Sequence, residues 1–407
     1  MLDVMKGIRI LEVAEHTFVP AASAVLAEWG ADVIKVEHAE RGDAMRGLAQ
    51  TGVVPFATKV HVLMEHSNRG KRSIGVDLSK PQGLELVYRL AATSDVFLTN
   101  KTPPVLRKLK IDVEDIRKHN PKIIYTRGTA FGPRGPDGDK GGYDFSSFWC
   151  RSGSAASCTP QGLPSLISQP GPGYGDSIGA MTIAGGIAGA LLKRERTGEP
   201  SVVDVSLLGT GVWALGQAIA LTLQSGQPLL SPPVGGHHAV TNPLVGSYRT
   251  SDGKFVAFVM LQAFAYWPDF CNHIERPDLA RDPRFDSVDN LAKNALAAVD
   301  ILREVIASKT LAEWTQRFQT LRGQWAPVQN TQEVAADPQV RAMGYIAPAE
   351  TADGVPFELG ASPVQFDERP TPTARSPLFN EHGDEILQEL GMDWDQIIDL
   401  RAAGAIA

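Results

Sequence analysis

Short apolar runs of strand length alternate with segments of helical periodicity along the first third of the chain, and this alternation limits the fold more than any other feature. Gly7–Val13, Asp32–Glu37, Ser73–Asp77, Asp95–Thr99 and Lys122–Arg127 read as strands. Between them, Pro20–Trp29 and Pro81–Ala92 carry apolar residues at helical spacing. Each of these helices begins at a proline, where the missing amide costs nothing. Gly30 closes the first as a C-terminal glycine. Strands separated by helices of this length pair in parallel, in a sheet covered on both faces. The expectation is an α/β, Rossmann-like, doubly wound large domain.

Such a fold invites a dinucleotide, because Glu37 ends the second strand where a ribose-binding acid often stands. The first strand-to-helix turn argues otherwise. It reads Ala14-Glu15-His16-Thr17-Phe18-Val19-Pro20 and holds no glycine, so its backbone cannot approach a pyrophosphate closely. Glu37 alone is more often a solvated strand-end acid.

Further along, Phe131–Gly142 is too rich in Gly and Pro for a regular element and is expected to loop over a site. A second loop, Pro160–Gly175, leads into a long helix over Asp176–Arg196, closed by Gly198. The body of that helix carries Gly179, Gly185, Gly186 and Gly189. Glycine costs a helix up to ~1 kcal/mol per residue against Ala, so several together suggest close backbone packing. Val202–Leu207 resumes a strand and Thr210–Leu223 a helix; Ser247–Phe258 reads as a hairpin turning at Asp252-Gly253. Residues 228–321 are expected to form a smaller domain. The tail ends in an amphipathic helix near Asp384–Leu390.

Charge removes one class of partner. Lys plus Arg number 39 and Asp plus Glu 46, a net charge of −7, which speaks against nucleic acid. A local basic pocket for one phosphorylated ligand remains compatible with that balance. The apolar stretches are interrupted by Gly and charge before the ~20 residues of a membrane span, and Met1–Arg9 has no signal-like apolar region. The expectation is therefore a cytoplasmic protein with no membrane partner. Cys150, Cys158 and Cys271 have no CxxC spacing, which argues against a disulfide framework and a zinc site.

No P-loop, nucleophile elbow, zincin helix or EF-hand loop is present. A series of short segments is more informative. In order they are Gly7–Glu12, Leu26–Glu37, Gly42-Asp43, Asn68–Ile74, Asp95–Asn100, Gly142-Tyr143-Asp144, Gly175–Gly179, Arg196-Thr197-Gly198, Arg375–His382 and Ile386–Gly391. In kind and order they resemble the family III CoA-transferases, which include formyl-CoA transferase, L-carnitine CoA-transferase and the α-methylacyl-CoA racemases.

The resemblance implies that Asp176 is a carboxylate nucleophile attacking an acyl-CoA thioester. At a helix start, unpaired amides and the positive dipole end favour its ionised form, and Gly173 and Gly175 leave room for a thioester. On its own, an Asp before a helix is usually an ordinary N-cap. Tyr143 and Asp144 match the paired positions before the nucleophile. The racemase branch has histidine where this chain has Tyr143, and a phenol with a pKa near ~10 is a poor base at neutral pH. Transfer is thereby favoured over racemisation. Phe145, Phe148 and Trp149 would either line an apolar acyl pocket or join the core.

For coenzyme A, the resemblance points to His16, Thr17 and Phe18 in the first turn, to Lys71, Arg72 and Lys108, and to Asn100 at a strand end. Cations suit the 3′-phosphate and pyrophosphate. His38 and Lys108 stand where formyl-CoA transferase has arginine. Gly235-Gly236 resembles the glycine-rich lid of the transferases, though shortened and followed by His237-His238.

The implied architecture is a large domain from 1–227 and 322–407 with a smaller α+β domain from 228–321, in an interlocked homodimer. No metal or permanently bound cofactor is expected; coenzyme A enters and leaves as part of the substrates, acyl-CoA and a carboxylic acid. The rival readings are a racemase or an intramolecular CoA-transferring isomerase, and, more remotely, a non-catalytic acyl-CoA-binding protein.

Overall fold

The structure, a computed structural model, describes residues 2–51, 58–234 and 240–407. The Gly235-Gly236-His237-His238 stretch lies outside the described residues. The chain forms two compact units, Met1–Ser231 with Pro338–Ala407, and Pro232–Asp337.

The first unit is built on six strands: β1 Arg9–Val13, β2 Asp32–His38, β3 Arg72–Val76, β4 Val96–Thr99, β5 Ile124–Thr129 and β6 Val202–Ser206. All neighbours pair in parallel, in the order β3-β2-β1-β4-β5-β6. This doubly wound arrangement places its topological switch between β1 and β4, where the carboxyl ends of the strands open a crevice. The helices are α1 Phe18–Glu28, α2 Val62–Asn68, α3 Pro81–Ala92, α4 Pro103–Leu109, α5 Val113–His119, α6 Ser154–Cys158, α7 Tyr174–Thr197, α8 Leu207–Ala214 and α9 Gly216–Ser225. One core joins α1 and α7 to one sheet face through Val19, Ala22, Leu26, Ile183 and Ile187. A second covers the other face with Leu86, Leu90, Ile116, Ile386 and Ile397.

α7 runs two residues further toward its N-terminus than its sequence suggests and ends at Gly198, which adopts a left-handed φ of 72°. Its glycines divide by face. A β-carbon on Gly179 would stand 2.3 Å from the Phe18 ring, whereas one on Gly185 or Gly189 would meet nothing. α7 is long and apolar enough to cross a bilayer by length and composition alone; here one of its faces is core. The single helix expected over Thr210–Leu223 is instead two, α8 and α9, bent by 68° at Leu215.

The second unit holds a three-stranded sheet, β7 Val245–Arg249, β8 Phe255–Val259 and β9 Trp325–Pro327, paired antiparallel in chain order. The hairpin turns at Gly253, whose φ of 78° suits glycine. Phe270 and Phe318 pack against Phe258, and Trp267 and Trp314 extend this core through them. Within the first unit, the hairpin β10 Ile346–Glu350 and β11 Pro356–Gly360 precedes the C-terminal helices Gly383–Glu389 and Trp394–Ala402.

Candidate active site

At the switch point, the turns after β1 and β4 are bonded to each other. The Glu15 amide donates to Asn100 Oδ1 at 3.1 Å, and Asn100 Nδ2 donates to the Glu15 carbonyl at 2.6 Å. Lys101 Nζ reaches Glu15 Oε2 at 2.6 Å. His16 follows with a φ of 68°, a left-handed conformation uncommon outside glycine. The Asp43 carboxylate helps fix that turn by accepting the His16 amide at 3.1 Å.

Beneath the turn lies a buried charge cluster. Lys35 Nζ contacts Glu12 Oε1 at 2.8 Å, Asp43 Oδ2 at 2.6 Å and the Ala14 carbonyl at 3.0 Å. Lys71 Nζ contacts Glu12 Oε2 at 2.7 Å, the Pro20 carbonyl at 2.8 Å and Asn68 Oδ1 at 3.0 Å. Each ammonium has three donors: those of Lys71 are all hydrogen-bonded, while Lys35 makes two hydrogen bonds and an ion pair with Asp43. Burial, with Lys35 nearby, pushes the Lys71 ammonium down to about 7. Glu12 is held below the usual carboxylate range by the two lysines, which outweigh its burial.

A cavity of about 560 Å³ opens above the turn, walled by His16, Phe18, Asn100, Lys101, Lys140, Tyr143, Leu207 and Asp176 and by the small residues Gly128–Ala130 and Gly141-Gly142. A second cavity, of about 370 Å³, lies over the ends of β1, β2 and β3 and shares Glu15, Lys101 and Val105 with the first. His38, Arg41, Asp77 and Ser79 also line it.

Asp176 sits in the first turn of α7. Gly173 enters that turn at a φ of 68°. Asp144, buried, accepts the Gly175 amide at 3.1 Å and Gln169 Nε2 at 2.9 Å. Gly175 serves packing and not substrate room: a β-carbon there would stand 2.2 Å from Phe148 and 2.5 Å from Asp144 Oδ1. Burial, together with the Asp144 charge, raises the Asp176 carboxyl to about 7. The helix terminus expected to keep this acid ionised is outweighed by desolvation and a neighbouring carboxylate. Tyr143 is 69 % exposed and meets the His16 ring edge-on, with centroids 5.6 Å apart.

The structure thus brings together Asp176, Tyr143, His16, Phe18 and Asn100 on one cavity, with Asp144 directly behind. Thr17 is buried against the entry to α7, its methyl 3.3 Å from where a Gly173 β-carbon would stand. Lys71 does not line the cavity, because the buried cluster engages its ammonium. Arg72 is also elsewhere: as the first residue of β3 it stands at the amino end of the sheet, bonded to Asp32 and Glu389. Lys108 is exposed on α4, outside the cavity wall. Phe148 and Trp149 are core residues, and Phe145 is exposed. Sequence reasoning missed Lys101, Lys140 and Gln169. Lys101 directly follows Asn100 at the end of β4, a position that a strand-end search would reach; Lys140 and Gln169 lie in loops that sequence periodicity does not place. Among the described residues, no group of three or more His, Cys, Asp or Glu side chains could hold a metal ion.

Known proteins resemble the chain over nearly its whole length. The chain is 26% identical over 394 residues to the (R)-2-hydroxy-4-methylpentanoate CoA-transferase of Clostridioides difficile, covering 97% of each chain. It is 29% identical over 402 residues to the cinnamoyl-CoA:phenyllactate CoA-transferase of Clostridium sporogenes, covering 98% of this chain and 96% of that one. The crystal structure of a CAIB/BAIF family protein from Brucella suis superposes with a TM-score of 0.77 at 27% identity, over 95% of this chain and 99% of that one. The model of CoA-transferase family III matches residues 5–383, and the chain belongs to that family.

Proposed function

We propose that the protein is an acyl-CoA:carboxylate CoA-transferase that works through Asp176. The observation carrying this reading is the placement of Asp176 on the switch-point cavity, with Asp144 bonded to the amide just before it. The Asp176 carboxylate attacks the thioester carbonyl and expels the CoA thiolate, leaving a mixed anhydride. The thiolate then attacks the aspartyl carbonyl, releasing the donor acid and forming an aspartyl-CoA thioester. The acceptor carboxylate attacks that thioester, and the thiolate attacks the acceptor's side of the new anhydride, giving the new acyl-CoA and free Asp176. Each step exchanges one acyl bond for another and needs no redox partner.

The thioester would lie in the larger cavity and the nucleotide end of coenzyme A over β1, β2 and β3, with Lys101 between them as a point charge for phosphate. The apolar wall of Phe18, Val105 and Leu207 supports an acyl group bulkier than formyl. The names of two relatives, which carry 2-hydroxy-4-methylpentanoate and phenyllactate, agree with that class.

The working form is a homodimer, interlocked as in the family. Its support here is the exposure of large apolar side chains on α8 and α9: Trp213 is 85 % exposed, and Val212, Leu221 and Leu223 are exposed as well. Light scattering on the purified protein should give twice the chain mass; a monomer overturns the dimer.

Incubation with cinnamoyl-CoA or succinyl-CoA, then trapping with hydroxylamine and peptide mapping, should label Asp176. Label at another residue, or none with any acyl-CoA of a broad panel, removes this mechanism. A second reading, α-proton exchange, is favoured by one feature: the His16 imidazole shares the cavity with Asp176 and touches Tyr143. Deuterium uptake at the α-carbon of an acyl-CoA in heavy water, without an acceptor acid, would select it.

A further inference from the structure

Gln169 lies in the loop before α7 and has no role in the reaction described so far. Its Nε2 donates to Asp144 Oδ2 at 2.9 Å and to the Gly171 carbonyl at 3.1 Å. The loop is itself fixed: Trp149 Nε1 donates to the Ile167 carbonyl at 2.9 Å, and the Ile167 amide donates to Thr159 Oγ1 at 3.0 Å. The other oxygen of Asp144 takes the Gly175 amide. Gly173, the residue at the N-cap position of α7, has no side chain with which to cap it. Asp144 therefore does from another segment what an N-cap side chain does locally.

Among the described residues, Gln169 Oε1 is buried without a partner. The amide cannot turn over to relieve this, because its oxygen would then face the Asp144 carboxylate.

We propose that Gln169 is a positioning residue: it holds the Asp144 carboxylate on the first-turn amides of α7, so that Asp176 is presented to the cavity. The inference rests on Asp176 being the attacking carboxylate. A glutamine suits this task and a glutamate does not, since a third acid beside Asp144 and Asp176 would repel both.

Two variants test it, Gln169→Leu and Gln169→Glu, each with two readouts. Amide hydrogen exchange of the peptide covering 174–178 should quicken at least about tenfold in both variants, while the β1–β5 peptides keep wild-type protection. In Gln169→Glu, the acid limb of the pH profile of kcat/KM should move up by at least about one pH unit, for the donor and acceptor pair that the wild type turns over. A merely structural residue would lower the rate without moving that limb. Wild-type exchange at 174–178 in both variants overturns the clamp. Faster exchange with an unmoved acid limb overturns its link to Asp176. If wild-type enzyme forms no adduct at Asp176, the proposed function fails, and the exchange measurement still decides whether Gln169 holds Asp144.

Discussion

The Phe18 ring occupies the space that a β-carbon on Gly179 would need, with its Cε2 2.3 Å from that point. The same ring lies 3.1 Å from where a β-carbon on Gly128 would stand, so Phe18 is gripped between α7 and β5 at the cavity wall. Gly179→Ala should therefore push α7, and Asp176 one turn before it, away from the β1–α1 turn. Overpacking of this kind costs about 1–3 kcal/mol. Thermal unfolding should register that loss, and kcat should fall while the fold persists. Wild-type stability in Gly179→Ala would show that the ring can move aside.

Asp176 carries a stability signature opposite to that of a paired acid. Burial and the Asp144 charge push its folded carboxyl up to about 7, from the 3.8 of a free aspartate. The folded state therefore holds a proton that the unfolded state has lost between those two values, and stability falls as pH rises through that window. Asp176→Asn should raise Tm at pH 8, with the gain shrinking as pH drops from 7 toward 4 and vanishing below it. Part of the effect is screened because the group is partly exposed, so the gain at pH 8 should be on the order of 1–2 kcal/mol, or roughly 2–3 °C. Calorimetry across pH decides this; a gain of equal size at pH 3.5 and pH 8 would have another origin.

Lys101 joins the two cavities and is tied only to Glu15 among the described ion pairs. If it receives a phosphate of coenzyme A, Lys101→Met should weaken CoA binding about tenfold, the equivalent of ~1.4 kcal/mol, and raise KM for acyl-CoA more than it lowers kcat. Calorimetric titration with free CoA measures the first effect. An unchanged affinity would move the phosphates away from Lys101.

The strands of the sheet were legible because they are short apolar runs with glycine or proline punctuation; their order and register, which pair residues as distant as Ile10 and Val96, were not. The bend at Leu215 was not legible either, since the apolar residues from Thr210 to Leu223 suit either one helix or two. At the site, Asp176 and Tyr143 could be named from motif order. The environment of Asp176 could not, because the burial and the Asp144 charge that raise its carboxyl come from a segment folded back against α7. Lys71 misled for a related reason. A lysine beside a strand looks solvated in sequence, and only the fold brings Glu12, Pro20 and Asn68 around its ammonium.

Those buried lysines differ in what depends on them. Lys35 holds two carboxylates, Glu12 and Asp43, and Asp43 in turn holds the His16 amide that shapes the cavity turn. Lys71 holds Glu12 alone, and Glu12 keeps Lys35 when Lys71 is gone. Removing one partner of a buried pair leaves an uncompensated charge, at about 3–5 kcal/mol. Lys35→Met leaves Asp43 without its cation and Glu12 with Lys71 only, whose own ammonium burial has pushed down to about 7. Lys35→Met should thus lower Tm by more than Lys71→Met, by roughly 5–8 °C, and should also reduce transfer activity through the loosened His16 turn. Lys71→Met should leave that turn bonded and cost less on both counts. Thermal unfolding and kinetics of the two variants side by side check the order; equal losses would mean that the cluster acts as one unit and that Asp43 does not shape the turn through Lys35.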